Sequence, residues 1–296
     1  MDTLYTLNKD ELPYLLKQIN DPPKKLFVKG KMPKEDTIML CVVGARKNSS
    51  YGEQTCKKLI AGLKGYNICI VSGLALGIDG IAHRAAMEAG LQTIAFPGSG
   101  LDASVLYPSS HRKLADEILY TGGALLSEFE MMQEGTNWTF PKRNRLMAGI
   151  SKATLIIEAE LISGSLITSR LATEYNREVG VVPGQIFSRL SEGPNMLMRL
   201  GAVPITSSDD ILEMLGLKTK KEIASQVNTK NNIQKSLLTD LNDNERSIIN
   251  LLSIESNTSE ELIKKSSLTN IEINKILSSL EIQGLIKSRG GRFEIQ

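Results

Sequence analysis

The chain is poor in the residues that bind metals and form cross-links. Its 296 residues include three cysteines and two histidines. Cys41, Cys56 and Cys69 are isolated from one another in apolar or helical segments. This placement favours buried thiols in a reducing compartment and argues against a disulfide framework or a metal cluster. The sequence therefore predicts no metal site.

The chain also lacks a strong net charge and a long apolar run, and we expect no signal peptide at its N-terminus. Its formal net charge is +2, so a polyanionic partner would have to bind a local basic patch. No apolar run approaches the ~18 residues that indicate a membrane span. The N-terminus carries Asp2, Lys9, Asp10 and Glu11 without the apolar segment of a signal peptide. We expect a cytoplasmic protein without a membrane segment.

Glycine motifs that bind nucleotides are missing. Neither the G-x-G-x-x-G fingerprint of dinucleotide-binding folds nor the G-x-x-x-x-G-K-[ST] phosphate loop occurs. Gly73 and Gly77 are spaced G-x-x-x-G, and no serine lies in a G-x-S-x-G nucleophile elbow. The sequence therefore predicts no cofactor.

Short apolar runs alternate with helical patterns through most of the chain. The strand-like runs, rich in valine and isoleucine, are residues 38–43, 67–71, 92–96, 124–127, 153–157, 179–182 and 203–205. The helical patterns cover residues 52–63, 78–89, 111–120, 142–149, 165–177, 195–200 and 207–215. Continuously apolar strands separated by helices are typical of a parallel, doubly wound α/β sheet.

Composition divides the chain into four segments. Residues 1–35 are a short lead-in with a predicted helix at 11–20 and a strand at 25–28, and residues 36–216 form the α/β domain. Residues 217–236 are rich in lysine and asparagine, which is typical of a linker.

The last segment, residues 237–296, has a pattern of its own. It contains three helical stretches followed by strand, glycine turn and strand; the helices are predicted at 243–252, 259–265 and 270–283. This order predicts a winged helix-turn-helix domain.

Small polar residues cluster where the predicted strands end. Ligands bind at the carboxyl ends of parallel strands because backbone N–H groups and helix N-termini point there. We therefore expect a pocket built from Gly44, Ser72, Gly73, Gly77, Asp79, Gly98, Ser163 and Gly164. Asp79 and His83 lie four residues apart, and we interpret Asp79 as complementing its helix N-terminus rather than as half of a catalytic pair.

Basic residues follow the same turns. They are Arg46, Arg112, Lys113, Lys142, Arg143 and Arg145. Cations at a helix N-terminus oppose the helix dipole, which prefers anions there. Their repetition at three turns favours phosphate contacts over a solvated face. Several cations in a line suit an extended polyphosphate backbone better than a single phosphate.

Two carboxylates, Glu128 and Glu158, lie at or near strand ends on the same edge. Such a pair suits general acid–base catalysis or the binding of backbone amides and basic side chains. The second interpretation is favoured, and the first is kept as an alternative.

Taken in order, these turns resemble one known family. The segments that carry the resemblance include residues 42–46, 72–79, 98–102, 140–145 and 163–165. They are similar to the DNA-processing protein A family, also called DprA or Smf, from about residue 12 to residue 215. The resemblance implies an extended Rossmann-like fold that binds single-stranded DNA, protects incoming DNA in natural transformation and loads the RecA recombinase. It also implies a homodimer, with no catalysis firmly tied to the fold.

The family pattern also implies where DNA would bind. By position, Arg46, the cations after Tyr107-Pro108, Arg143 and Arg145 would line the DNA pocket. The loop beside it would be shaped by Ser72, Gly73, Gly77 and Asp79.

The chain departs from the family in two places. Many members carry a basic residue where this chain has Leu76, and many carry an N-terminal helical domain that the lead-in does not match. The predicted winged helix is also weakly basic, because its third helix has Glu272 and Glu281 against Lys275. We therefore expect it to contact a protein, or DNA backbone weakly, rather than read a DNA sequence.

Two other functions fit parts of the sequence. One is a nucleotide-binding sensor or an enzyme similar to nucleoside-monophosphate phosphoribohydrolases, with Glu128 or Glu158 as general base. The P-G-G-x-G-T loop of that group is missing. The other is a transcription regulator acting through the winged helix, against which the weakly basic helix argues.

Overall fold

The computed structural model describes residues 3–219 and 241–295. The chain divides into two compact units between Thr219 and Lys220. The strands of the first unit are β1 (Leu4–Asn8), β2 (Lys25–Gly30), β3 (Ile38–Val43), β4 (Ile68–Ser72), β5 (Gln92–Ala95), β6 (Ala124–Ser127), β7 (Ala153–Ile156), β8 (Glu178–Val181) and β9 (Val203–Pro204).

These strands form one nine-stranded sheet in the order β1-β2-β6-β5-β4-β3-β7-β8-β9. All pairs from β6 to β9 along this order are parallel, and the pairs β1–β2 and β2–β6 are antiparallel. The prediction of a Rossmann-like, mostly parallel α/β sheet is confirmed. The order reverses direction at β3, between β4 and β7, and such a switch point opens a crevice at the carboxyl ends of the strands.

Helices cover both faces of the sheet. They are α1 (Tyr14–Lys17), α2 (Ser50–Ala61), α3 (Ile78–Glu88), α4 (Arg112–Tyr120), α5 (Thr139–Ile150), α6 (Gly164–Glu174), α7 (Arg189–Arg199) and α8 (Ser208–Met214). Helices α1, α5 and α6 contribute to one core, and α2, α3 and α8 contribute to the other. Within the described residues, no helix has both the length and the apolar character needed to cross a bilayer.

Strand β3 shows why both faces need a cover. Leu40 and Val42 belong to one core, whereas Cys41 and Val43 belong to the other. Successive side chains of a strand point to opposite faces, so a continuously apolar strand must be buried on both sides. The four side chains are at most 3% exposed.

The N-terminal segment differs from its prediction. Strand β1, which the sequence pattern did not indicate, pairs with β2 from Leu4 opposite Lys29 to Asn8 opposite Lys25. The helix expected at residues 11–20 is confined to α1, because Pro13 stands at its N-cap and lacks the N–H that would continue a helix through it. Residues 3–30 thus extend the sheet instead of preceding it.

The second unit is described for residues 241–295. It contains α9 (Asp243–Ile254), β10 (Asn257–Thr258), α10 (Ser259–Lys265), α11 (Asn270–Ile282), β11 (Ile286–Arg289) and β12 (Arg292–Ile295). The strands form an antiparallel sheet in the order β10-β12-β11. Each helix begins with a capping box, at Asn242, Thr258 and Thr269. The predicted linker lies outside the described residues except for residues 217–219.

The contribution of the N-terminal segment to the core can be measured with two substitutions in α1. Leu16 is fully buried, and Leu16→Ala should lower the free energy of unfolding by about 2–5 kcal/mol because it leaves a cavity. Tyr14 is 74% exposed, and Tyr14→Ala should change it by less than about 0.5 kcal/mol. Urea denaturation of both variants provides the comparison, and a stable Leu16→Ala protein would contradict the packing described here.

Candidate nucleic-acid interface

The turns after β3, β4 and β7 meet at one edge of the sheet and enclose a cleft of 610 Å³, here called the central cleft. Helices α5 and α6 contribute further walls. Residues of these turns and helices that line it include Gly44, Arg46, Lys47, Ala75, Asp79, Phe140, Arg143, Asn144, Ser163 and Gly164. Four of the eight residues of the predicted pocket line the central cleft: Gly44, Asp79, Ser163 and Gly164.

Arg143 joins the floor of the central cleft to two strand ends. Its side chain enters from α5 and is only 5% exposed. Nη1 donates hydrogen bonds to the carbonyl oxygens of Gly73 and Phe96, the residues that follow β4 and β5. Nε donates to Oδ1 of Asn144 at 3.0 Å. A buried cation held in this way fixes loop positions, since breaking it would leave several polar groups without partners.

Asp79 is the acidic neighbour of Arg143. It lies in the first turn of α3, is 5% exposed, and accepts a hydrogen bond from the N–H of Gly73 at 3.1 Å. Burial raises the pKa of Asp79, while the Arg143 guanidinium and the N–H groups of Gly73 and Ala75 oppose that rise. A Cβ on Gly73 would overlap both the guanidinium and the carboxylate. Glycine is required here by the close approach of the two charged groups.

Arg46 supplies an exposed cation at the mouth of the central cleft. Its guanidinium carbon lies 5.4 Å from the centre of the Phe140 ring. The Phe140 ring in turn lies 5.7 Å from the Tyr107 ring, with an angle of 55° between their planes. A free guanidinium beside two aromatic faces can contact both a phosphate and an unstacked base.

The N-terminus of α6 forms the opposite wall. Ser163 is its N-cap and accepts a hydrogen bond from the N–H of Ser165, whose hydroxyl donates to the carbonyl of Gly44 at 2.9 Å. Gly164 has no atom within 4 Å of the position that a Cβ would occupy, so its backbone is open to the cleft. Backbone N–H groups at the start of an eleven-residue helix favour an anion.

Other predicted pocket residues hold the turns together. The hydroxyl of Ser72 donates to the carbonyl of Val42 at 2.6 Å, which joins β4 to β3. A Cβ on Gly44 would lie 2.7 Å from Cγ1 of Ile78, and one on Gly98 would overlap the Phe140 ring. These residues permit close packing and do not offer side chains to a ligand.

The basic cluster on α5 differs from its prediction. Arg145 does not line the central cleft; its side chain is buried and forms an ion pair with Glu128, and it donates to the carbonyl of Asp21 at 2.8 Å. Burial raises the pKa of Glu128, and Arg145 opposes the rise. Arg143 is also buried, as described above. Of the three predicted cations, Lys142 alone is exposed, because successive residues of a helix point in different directions.

Three further predicted cations, besides Arg145, lie outside the lining of the central cleft. Lys142 places its ammonium group 5.4 Å from the centre of the Trp138 ring. Arg112 and Lys113 are exposed at the start of α4, where Arg112 donates to the carbonyl of Ser104 at 2.7 Å. Leu76, which replaces a commonly basic residue, is 46% exposed and lines a small recess beside Arg46.

Neither histidine is free for proton transfer in the central cleft. His83 is fully buried, its Nδ1 lies 2.7 Å from Oγ1 of Thr93, and burial lowers its pKa to about 3. Nδ1 of His111 lies 2.9 Å from the carbonyl of Leu74. Among the residues that the structure describes, no group of three or more histidine, cysteine or acidic side chains could hold a metal ion.

Asn144 is a site residue that the sequence analysis did not single out. It accepts the Nε–H of Arg143, and its Nδ2 lies 3.3 Å from the carbonyl of Gly164. It thus connects α5 to the start of α6. The sequence signal for Asn144 is its position between Arg143 and Arg145. A short amide side chain among the cations at the start of a helix can orient the side chains beside it.

Fold and site together define the class of protein. A doubly wound, mostly parallel α/β sheet with a cleft at its switch point defines a Rossmann-like protein. More particularly, the chain belongs to the DNA recombination-mediator protein A family, which matches residues 3–216. The resemblance noted in the sequence is confirmed.

Individual relatives agree with this assignment. The chain is 43% identical over 195 residues to Protein Smf of Escherichia coli K12 and 40% identical over 210 residues to DNA processing protein DprA of Streptococcus pneumoniae R6. These regions are 66% and 70% of this chain. They cover 52% of the E. coli protein and 72% of the S. pneumoniae protein.

Two solved structures are similar over about seven-tenths of the chain. The X-ray structure of DNA processing protein A from S. pneumoniae gives a TM-score of 0.67 at 37% identity, covering 71% of this chain and 74% of that one. The Helicobacter pylori protein, whose structure was described for its single-stranded DNA binding mode, gives 0.65 at 32% identity. That match covers 72% of this chain and 95% of the H. pylori chain.

The close approach of two turns at Gly77 predicts a large loss of stability on adding a methyl group. Gly77 has φ of +74°, and a Cβ there would overlap the carbonyl oxygen of Ala45. Gly90 has φ of +71° with no atom within 4 Å of its Cβ position, so it serves as the control for the backbone effect alone. Gly90→Ala should cost about 1 kcal/mol and Gly77→Ala about 3 kcal/mol. Equal costs in urea denaturation would contradict the close approach.

A double-mutant cycle tests the coupling of Arg143 to Asp79. Arg143→Met should lower the free energy of unfolding by about 3–5 kcal/mol, because it leaves Asp79 buried without its cation. Adding Asp79→Asn should recover part of that loss by removing the charge. Lys142→Met, on the exposed side of α5, is the matched control and should have little effect. Strictly additive losses for the two sites would exclude the coupling.

Proposed function

We propose that this protein is a single-stranded DNA-binding recombination mediator and that the central cleft is its DNA-binding site. The observation that carries the proposal is the placement of exposed Arg46 over the Phe140 ring, facing the open N-terminus of α6. The similarity to the H. pylori protein, described for its single-stranded DNA binding mode, supports it.

The chemistry of the central cleft favours single strands over duplexes. The Arg46 guanidinium and the backbone N–H of Gly164 suit phosphate oxygens, which every nucleic acid offers. The Tyr107 and Phe140 rings offer stacking faces, which only unpaired bases can use. We assign the exposed cations Arg112, Lys113 and Lys142 to outer phosphate contacts and Arg143 to positioning the loops.

We extend the proposal to the partners that the family resemblance implies. The protein would act in the cytoplasm as a homodimer, protect incoming DNA in natural transformation and load the RecA recombinase. Support comes from family membership and from similarity to DNA processing protein DprA of S. pneumoniae and of Bacillus subtilis, the latter 37% identical over 214 residues.

For the second unit we propose a winged helix that contacts a protein. Its three helices and antiparallel sheet suit that assignment. The basic groups of its terminal hairpin are paired: Lys287 and Arg289 lie 3.5 and 3.9 Å from Glu294, and Arg292 lies 2.9 Å from Glu261. Paired cations are less available to DNA phosphates, which argues against a transcription regulator acting through this unit.

We propose no catalytic step. The two carboxylates considered as general bases are already engaged, Glu128 with Arg145 and Glu158 with the N–H and hydroxyl of Ser49. The P-G-G-x-G-T loop that the phosphoribohydrolase-like group carries is also missing from this sequence.

Binding to labelled oligonucleotides across a salt series tests the proposal directly. The protein should bind a single-stranded oligonucleotide more tightly than the matching duplex, and the logarithm of the affinity should fall with the logarithm of the salt concentration by about 0.7 per phosphate contacted. Fluorescence anisotropy measures both. Equal binding of the two forms at low salt, or no binding, would contradict the proposal.

Arg46→Ala should weaken binding of a single strand about tenfold and reduce the salt slope by about 0.7, because it removes one charged phosphate contact. Arg84→Ala removes an exposed arginine of α3 that does not line the central cleft and is the matched control. Unchanged affinity of the Arg46→Ala protein, at unchanged melting temperature, would count against the assignment of this cleft.

A further inference from the structure

A second cleft of 620 Å³ opens beside the central one, on the far side of the turn after β3. It lies between the N-terminus of α2, the end of β7 and the segment from β8 to α7. Its lining residues are Ser49, Ser50, Tyr51, Glu158, Pro183, Gly184, Gln185, Ser188 and Ser191. None of these is basic, in contrast to the arginines and lysine of the central cleft.

Glu158 is the charged group of this second cleft. It is only 3% exposed, and its carboxylate accepts the N–H of Ser49 at 2.9 Å and the hydroxyl of Ser49 at 2.5 Å. No lysine, arginine or histidine among the described residues lies within 4 Å of it as an ion-pair partner. A carboxylate has about four acceptor positions, so two hydrogen bonds leave it able to accept two more from a ligand.

Tyr51 forms a wall of the second cleft. The side chain is 51% exposed, and its hydroxyl donates to the carbonyl of Pro183 at 2.8 Å. The ring is therefore held in one orientation with its face available. A fixed aromatic face beside a hydrogen-bond acceptor is the arrangement that proteins use to hold an unpaired base.

We infer that the second cleft binds a guanine base of the single strand whose phosphates occupy the central cleft. Guanine presents two adjacent donors, N1–H and the N2 amino group, which match the two oxygens of a carboxylate. Thymine presents one N–H between two carbonyl oxygens, which a carboxylate repels, and adenine and cytosine present one amino group beside an acceptor. The inference rests on the proposed function, and it adds a base preference to it.

The spacing of the two clefts along the chain suits one strand. Ser49 follows Arg46 by three residues, so the two Cα atoms are separated by at most about 11 Å. Glu158 likewise precedes Glu160, which lines the central cleft, by two residues. A strand held by phosphate at Arg46 can therefore place a neighbouring base against Tyr51.

The test compares three oligonucleotides of one length: oligo-dT, the same strand with one central dG, and the same strand with deoxyinosine in place of the dG. The dG strand should bind wild-type protein about fivefold more tightly than oligo-dT, the ratio expected for a bidentate base contact. Inosine lacks the N2 amino group and should lose most of that gain. Anisotropy competition measures the three affinities.

Glu158→Gln should abolish the preference for dG while leaving affinity for oligo-dT unchanged within twofold. Tyr51→Ala leaves the hydrogen bonds of Glu158 in place and should also reduce the preference for dG. It replaces Glu158→Gln as the test variant if that protein folds poorly. Equal binding of dG and dT strands by wild-type protein, or a preference that survives both substitutions, would overturn the inference alone. Failure to bind oligo-dT would overturn the proposed function and the inference together.

A titration with free guanosine monophosphate distinguishes two possible ligands of the second cleft: a guanine within a DNA strand and a free mononucleotide. It should raise the melting temperature of the wild-type protein only at millimolar concentration, since its single phosphate does not replace the neighbouring phosphates of a strand in the central cleft. Saturation at micromolar concentration, lost in Glu158→Gln, would contradict the assignment to a strand and indicate a nucleotide site instead.

Discussion

The buried guanidinium of Arg143 is the constraint on which the candidate site depends. It joins α5 to the turns after β4 and β5, and Asp79 brings the start of α3 to the same point. Removing an ion from water costs several kcal/mol, so the pair persists only where hydrogen bonds satisfy it on every side. Glycine at position 73 follows from this requirement, because a Cβ there would overlap both charged groups. The shape of the central cleft is thus set by two buried charged side chains of its own lining.

This arrangement separates the groups that hold the site from those that meet the ligand. Buried Arg143 with its acidic neighbour Asp79, and the ion pair Arg145–Glu128, hold the loops, whereas Arg46 and the backbone at Gly164 stay exposed. Rigid turns with exposed donors favour binding, because little conformational entropy is lost when the ligand arrives. The two neighbouring clefts differ in charge, because Arg46, Lys47 and Arg143 are among the residues that line the central cleft and Glu158 is the charged residue of the second. The proposed strand would meet the first with its phosphates and the second with an unpaired base.

The hydrophobic pattern predicted the parallel sheet and its helices, because a continuously apolar strand must be covered on both faces of the sheet. Strand β1 escaped prediction since its pairing depends on β2, a partner distant in sequence, rather than on a local pattern. The glycine-containing turns could also be predicted from local sequence, because each one comes shortly after an apolar strand pattern. The roles of Arg143 and Arg145 were not predictable, because a sequence of alternating cations in α5 does not say which of them face the core. Burial, the property that separates them from Arg46, comes only from the three-dimensional packing.

The central claim is that a single strand lies in the central cleft, over the aromatic side chains beside Arg46. Photocross-linking with an oligonucleotide containing 5-iododeoxyuridine, followed by mass spectrometry of the peptides, tests it most directly. The account predicts cross-links to Phe140 or Tyr107, because their rings are the stacking faces nearest the exposed guanidinium. Cross-links confined to residues 241–295 would contradict it and move DNA binding to the second unit.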